Sequence, residues 1–209
     1  MKPRETTKLR VVYHCNAKKR NHPSLNDCVH SGPCLLPKIV DLLIRFRCFK
    51  FGLTSDIKAA FLRIKIAHKD RDYFRLLWFK DVNTADPEIV VLRFSTVIFG
   101  LNAAPFLLGA TINSHLQQFA DVNEDFVQQF LRDLYMDDSV TGFHTEENAF
   151  SFYVFVKSMM LEGNFVLLKW NSNSTKLINE IREYEKKLFG NDENERSRYC
   201  KVLGIKWVK

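Results

Sequence analysis

Three aspartates are the side chains of this sequence best suited to metal chemistry. Asp137 and Asp138 are neighbours at the centre of LYMDDSVTGF, where apolar residues flank an acidic turn, and Asp56 lies at the end of the apolar run FKFGLTSDI. Adjacent carboxylates repel each other unless cations or solvent compensate, and an arbitrary Asp-Asp pair is most often a solvated turn. Together with Asp56, the pair could hold two Mg²⁺ ions roughly 3.5–4 Å apart, with Mn²⁺ as the alternative metal. Such a site would activate a hydroxyl group for attack on a phosphate.

The tetrapeptide YMDD favours the metal site over the solvated turn, because a specified four-residue string is rare by chance in a chain of this length. It resembles the central catalytic motif of reverse transcriptases. The segments SDIKAAF, FGLNAAP, LLKW and LGIKW resemble four further motifs and follow that family's order. The longer segments DIKAAFLRIKI, DRDYFRLLW and FGLNAAPFLL are most similar in sequence to polymerases of BEL/Pao-type long-terminal-repeat retrotransposons.

The resemblance implies a role for each residue that matches a motif. It assigns catalysis and metal binding to Asp56, Asp137 and Asp138, and it turns the backbone carbonyl of Ile57 toward a metal. Five residues are implied in nucleotide binding, namely Arg10, Phe61, Phe99, Gly100 and Lys169. Four are implied in primer binding, namely Tyr135, Met136, Leu203 and Gly204.

Within the nucleotide set, the resemblance makes Phe61 an aromatic gate that rejects ribonucleotides, and it brings Arg10 and Lys169 to the phosphates. Phe99 stands where retroviral relatives carry glutamine, so ring packing and backbone must replace a side-chain hydrogen bond. Simpler alternatives stay open for three of these residues. Arg10 could be a surface arginine on a strand, Lys169 a solvated strand end, and Phe61 a core residue.

The function implied is RNA-directed DNA polymerase, with an RNA or DNA template, a primer and deoxynucleoside triphosphates as partners. Because the chain stops just after LGIKW, we expect the thumb and ribonuclease H regions to be absent from it. One alternative is therefore a catalytically inactive, truncated remnant that only binds nucleic acid. Another, an RNA-templated RNA polymerase, is disfavoured by bulky Phe61 and by Tyr-Met rather than Gly before the aspartates.

The pattern of apolar residues predicts an α+β fold with an antiparallel sheet, because strands and helices are mixed without regular βαβ alternation. With the resemblance, this becomes a polymerase palm, at about 51–63 and 101–209, with partial fingers, at about 1–50 and 64–100. The predicted strands lie at 9–14, 49–56, 73–80, 90–97, 165–169 and 201–207, with a hairpin at 134–143. The predicted helices lie at 37–46, 105–119, 123–132, 144–162 and 175–187.

Composition agrees with a folded protein that binds a polyanion. The 209 residues are 46% hydrophobic and carry a net charge of +7, which favours nucleic acid as a partner. Five cysteines without a Cys-x-x-Cys pair suit a reducing compartment, and Cys28, His30 and Cys34 lack the second half of a zinc site. No apolar run is long enough to cross a membrane. We therefore expect a soluble, intracellular protein, in the cytoplasm or in virus-like particles.

Overall fold

A computed structural model describes residues 13–189 and 200–207 of the chain, which form a mixed α+β structure. The α-helices in these ranges are α1 (Leu25–Cys28), α2 (Ile39–Arg47), α3 (Ala104–Leu116), α4 (Ala120–Arg132), α5 (Glu146–Glu162) and α6 (Thr175–Phe189). The strands are β1 (Phe51–Ile57), β2 (Arg75–Phe79), β3 (Ile89–Arg93), β4 (Leu134–Tyr135), β5 (Asp138–Phe143), β6 (Leu167–Ser172), β7 (Cys200–Val202) and β8 (Ile205–Trp207).

The centre of the fold is a sheet with strand order β4-β5-β1-β6. Every neighbouring pair in this sheet is antiparallel. The α+β class and the antiparallel sheet predicted from the sequence are therefore confirmed. Because side chains alternate between the two faces of a strand, the pairing register decides which residues of β1 and β5 share a face.

Helices cover one face of the sheet. Leu53 and Ile57 of β1 are almost fully buried there, at 0% and 1% exposure. They belong to one hydrophobic cluster that includes Phe130, Phe152 and Tyr153. Burying a side chain of this size stabilises a fold by roughly 1.5–3 kcal/mol, so this cluster is the main source of stability for the sheet.

The other face carries α2 and the β7–β8 hairpin over one end of the strands. Leu42, Val140 and Val202 form a second buried cluster there. Two glycines of the sheet allow the close approach, because a Cβ at Gly142 would lie 2.7 Å from the Cβ of Phe49, and one at Gly52 would lie 2.6 Å from the ring of Phe46. Asp56 and Asp138 lie on this same face, at the opposite end of β1 and β5.

Strands β2 and β3, predicted as strands at 73–80 and 90–97, form a separate antiparallel hairpin. The predicted helices and the hairpin at 134–143 are also present, with ends that differ by a few residues. In α4, the backbone of Asn123 is not helical, and its side-chain Oδ1 accepts a hydrogen bond from the amide of Phe126 at 3.0 Å. Asn123 therefore caps the regular part of α4, where the sequence predicts that the helix begins.

Two predictions were wrong. The single strand that the apolar pattern predicts at 201–207 is a hairpin, the form implied by the resemblance of LGIKW to a primer-gripping hairpin. Leu203 and Gly204 both have positive φ angles, 49° and 82°, and turn the chain between β7 and β8. The segment 16–33, in which no helix or strand is predicted above, contains α1, whose first turn is closed by a capping box between Ser24 and Asp27.

The described residues do not test two predictions, the first strand and the division into subdomains. The strand expected at 9–14 falls mostly outside the described residues. The division into fingers and palm at the boundaries given above remains a prediction. Within residues 13–189 and 200–207, no helix combines the length and the apolar character needed to cross a bilayer.

Candidate active site

Asp56 and Asp138 face each other across the two central strands. The register of β1 and β5 pairs them directly, so both carboxylates emerge on the same face of the sheet. Side chains in this arrangement have Cβ atoms about 4.5–5.5 Å apart, and like charges placed so are destabilising. The sheet therefore brings together two acidic residues that are far apart in sequence, and their charges require compensation.

Asp137 adds a third carboxylate at the tip of the β4–β5 hairpin. Met136 and Asp137 form its two-residue turn, and the carbonyl oxygen of Asp137 accepts a hydrogen bond from the amide of Ile57 at 2.7 Å. This bond ties the tip of the hairpin to the end of β1. All three aspartates predicted as catalytic thus lie around the same two strand ends.

Met136 has a φ angle of 55°, although it is neither glycine nor asparagine. A residue of this kind in the left-handed region costs on the order of 1–3 kcal/mol, and such strain is concentrated at functional sites. The half-buried Met136 side chain lines a small cavity of about 60 Å³ together with Pro105 and Gly109. Met136, which is predicted to contact the primer, thus lies beside the start of α3.

The electrostatics of the cluster reflect burial and crowding. Burial raises the pKa of Asp138 to about 6, and repulsion from Asp137 and Asp56 acts in the same direction. Burial also raises the pKa of Asp137, and repulsion from Asp56 adds to it. Carboxyl groups that resist ionisation in this way gain most from a cation, and perturbed pKa values of this origin are typical of functional sites.

Lys169 supplies a positive charge to the cluster. Its Nζ donates a hydrogen bond to Oδ2 of Asp56 at 3.1 Å. The same ammonium offsets a small part of the rise in the pKa of both Asp137 and Asp138. The structure thus brings the lysine predicted to contact nucleotide phosphates to the predicted catalytic carboxylates.

Phe61 and Phe99, both predicted at the nucleotide, are in contact. Their rings make an edge-to-face pair with centroids 5.3 Å apart. Phe61 is half-buried and packs against the main core, whereas Phe99 is 42% exposed. Gly100 has a φ angle of 95°, and a Cβ there would lie 2.5 Å from the carbonyl oxygen of Tyr13. Only glycine fits at this position without strain.

The remaining predicted primer contacts lie on the face covered by α2. Tyr135 and Leu203 both pack against the cluster of Leu42, Val140 and Val202. Gly204 is exposed at the turn of the β7–β8 hairpin, and no atom beyond its chain neighbours lies within 4 Å of the position that a Cβ would take there. Tyr135 and Leu203 therefore contact the same buried cluster, on the face of the sheet that also carries Asp56 and Asp138. Arg10 lies outside the described residues.

Sequence reasoning missed two polar residues that hold these segments in place. The Asn26 side chain donates to Oδ1 of Asn16 and to the carbonyl oxygen of Gly100, and accepts from the amide of Asn102. Asp133, only 2% exposed, accepts hydrogen bonds from Thr141 and Arg132 just before the hairpin. The spacing of Ser24 and Asp27 is a capping-box signal that would have revealed the helix carrying Asn26.

The donor chemistry of the cluster suits a hard divalent cation, since Mg²⁺ and Mn²⁺ prefer carboxylate oxygens. The arrangement of the side chains does not provide a complete set of metal ligands. Among residues 13–189 and 200–207, no group of three or more His, Cys, Asp or Glu side chains converges closely enough to hold a metal ion by itself. Additional ligands would therefore have to come from water, from a substrate phosphate or from rearrangement of the side chains.

Comparison with known proteins adds no further assignment. No protein-family model matches the chain, and a search of curated proteins gives no significant match. The fold and the site define an α+β protein with an acidic cluster at the end of an antiparallel sheet. The similarity to reverse transcriptases rests on the motifs quoted above.

Proposed function

We propose that this chain is the catalytic part of an RNA-directed DNA polymerase of the BEL/Pao retrotransposon type, with a palm subdomain and part of the fingers. The observation that supports this proposal most directly is the pairing of Asp56 with Asp138 in the register of β1 and β5. The motif resemblance requires Asp56 to lie beside the Asp137-Asp138 pair, and composition alone does not. Phosphoryl transfer depends mainly on positioning and charge neutralisation, which an acidic cluster on a rigid sheet can provide.

Asp56 and Asp137 would hold two Mg²⁺ ions, or Mn²⁺, with Asp138 in support. When bound, these ions would supply the charge that activates a primer 3′-hydroxyl and neutralises the leaving pyrophosphate. The protein contributes the fixed position of the carboxylates. The hydrogen bond from the Ile57 amide to the Asp137 carbonyl keeps the hairpin tip against the end of β1.

The neighbouring residues would position the two substrates. The exposed ring of Phe99 and the half-buried ring of Phe61 form an aromatic surface against which a deoxynucleotide sugar could pack. Lys169 can offer its ammonium to a phosphate, since its side chain is 62% exposed. The surface near Tyr135 and Leu203 would receive the end of the primer.

The second candidate is a nucleic-acid-binding protein without catalytic activity. One observation favours it, the lack of a complete three-ligand group among the described residues, whereas the net charge of +7 agrees with either candidate. Binding to the phosphate backbone needs only positive charge and weakens as salt rises. Both candidates predict that the chain binds nucleic acid, so only an assay of nucleotide addition separates them.

A primer-extension assay on RNA and DNA templates, with deoxynucleotides and Mg²⁺, tests the proposal. We expect extension by the wild-type chain, loss of extension in Asp137→Asn, and salt-sensitive binding of primer-template in both. Binding without extension by the wild-type chain would favour the second candidate. Extension by Asp137→Asn at the wild-type rate would refute the catalytic assignment.

A further inference from the structure

Lys169 lies at an irregularity of strand β6. Strand β1 pairs with β6 at Thr54–Asn171 and at Asp56–Leu168, so β6 has one residue more than β1 between these two pairs. This is a β-bulge, a feature that redirects a side chain. Lys169 adopts a φ angle of 56° at the bulge, a strained conformation for a residue other than glycine.

At the bulge, the side chains of Lys169 and Trp170 lie in different environments. Trp170 remains in the core, at 3% exposure, with its ring 4.9 Å from that of Tyr153. The Lys169 side chain is mostly exposed and still reaches Asp56, with 3.1 Å between Nζ and Oδ2. Without the extra residue, strict alternation along β6 would place Lys169 on the face opposite to that of Leu168 and Asp56. The backbone strain is therefore coupled to an ion pair at the acidic cluster.

We propose that the Lys169 ammonium is an internal counterion that competes with a divalent cation for the carboxylate oxygens of Asp56. This role rests on the proposed function, because it requires a divalent ion at these carboxylates. A single exposed ion pair contributes little net free energy, so a divalent ion can displace the lysine. The ammonium would then be free to contact an anion such as a nucleotide phosphate, while Asp56 binds the metal.

Removing the positive charge should therefore tighten metal binding. We would titrate the full chain with Mn²⁺ in the absence of nucleotide and follow binding by calorimetry and by Mn²⁺ electron paramagnetic resonance. Lys169→Met should lower the dissociation constant by roughly threefold to tenfold, because one competing charge is lost. Lys169→Asn removes the charge and suits a positive φ angle, so it gives the same test if Lys169→Met folds poorly. Lys169→Arg keeps the charge and should bind Mn²⁺ like the wild type.

The matched control is Lys80→Met. Lys80 makes an exposed ion pair with Glu88 at 2.9 Å in the β2–β3 hairpin, so its removal changes the net charge equally but leaves the acidic cluster intact. We expect its dissociation constant for Mn²⁺ to change by less than about twofold, because exposed charges outside the site are screened.

Each outcome has a separate meaning. Tighter binding in Lys169→Met and Lys169→Asn, but not in Lys169→Arg or Lys80→Met, would support the counterion role. Unchanged or weaker binding in both neutral variants, with clear binding by the wild type, would overturn that role and leave the proposed metal centre intact. If neither the wild type nor the neutral variants bind Mn²⁺ without nucleotide, the counterion role is wrong, and the primer-extension assay decides separately whether the acidic cluster is a polymerase centre.

Discussion

Asp56 and Asp138 are direct cross-strand partners on β1 and β5. The pairing is unfavourable for the fold itself, because it opposes like charges at partly buried positions, and burial together with repulsion from Asp137 and Asp56 raises the pKa of Asp138 to about 6. Lys169 offsets part of this cost through its ion pair with Asp56. Proteins maintain such unfavourable charge arrangements mainly at functional sites.

Asp138→Asn should stabilise the chain in the presence of EDTA. The pKa of Asp138 is raised from 3.8 to about 6 in the folded chain, so ionising it as pH rises through this window lowers the free energy of unfolding. Above pH 6 the variant should be more stable than the wild type. The rise in pKa sets an upper limit of about 3 kcal/mol, and the effect should be smaller because the carboxyl retains solvent contact. Urea denaturation at pH 4 and pH 7.5 measures this, and an equal stability difference at both pH values would contradict it.

Asn26→Ala should destabilise the chain by roughly 1–3 kcal/mol, because the buried amide bonds to Asn16, Gly100 and Asn102 and its loss leaves these partners unpaired. Urea denaturation measures the effect. Asn83→Ala is the control, since Asn83 is exposed in the β2–β3 loop and its removal should cost less than about 0.5 kcal/mol. Equal unfolding midpoints for the two variants would show that Asn26 does not support the segment around Gly100.

Phe61→Val should change sugar selection. If the Phe61 ring packs against the deoxyribose, a 2′-hydroxyl collides with it, so the smaller side chain should raise ribonucleotide incorporation relative to deoxynucleotide by roughly 10²-fold. Single-turnover incorporation of matched nucleotide pairs gives this ratio. Phe74→Val serves as control, because Phe74 also packs partly buried against the main core. A ratio unchanged in Phe61→Val, with both rates reduced, would make Phe61 a core residue.

The sequence predicted the parts of this site that depend on regular patterns. The apolar runs around Asp56 and around Asp137-Asp138 indicated a strand and a hairpin, and an antiparallel sheet can bring such segments together. The motif resemblance added that they should meet. The pairing of Asp56 with Asp138 agrees with that expectation, although residue periodicity alone does not specify a register.

Two of the features that sequence reasoning missed depend on individual backbone angles. The ion pair of Lys169 with Asp56 is associated with a bulge at a positive φ angle, which no periodic pattern indicates. The turn at Leu203 and Gly204 was hidden because leucine is rarely found at positive φ. Asn26 lies in a segment rich in polar residues, where the pattern does not separate a buried amide from a solvated one.

The most direct test of the central claim is the single-turnover rate of deoxynucleotide addition by Asp56→Asn, compared with the wild type and with Asp86→Asn. Asp86 is exposed in the β2–β3 loop, so its variant makes the same chemical change away from the acidic cluster. If Asp56 and the Asp137-Asp138 pair form a polymerase centre, Asp56→Asn should lose at least about 10³-fold in rate, equivalent to about 4 kcal/mol of transition-state stabilisation, and Asp86→Asn should keep the wild-type rate. A rate for Asp56→Asn within about threefold of an active wild type would contradict the claim.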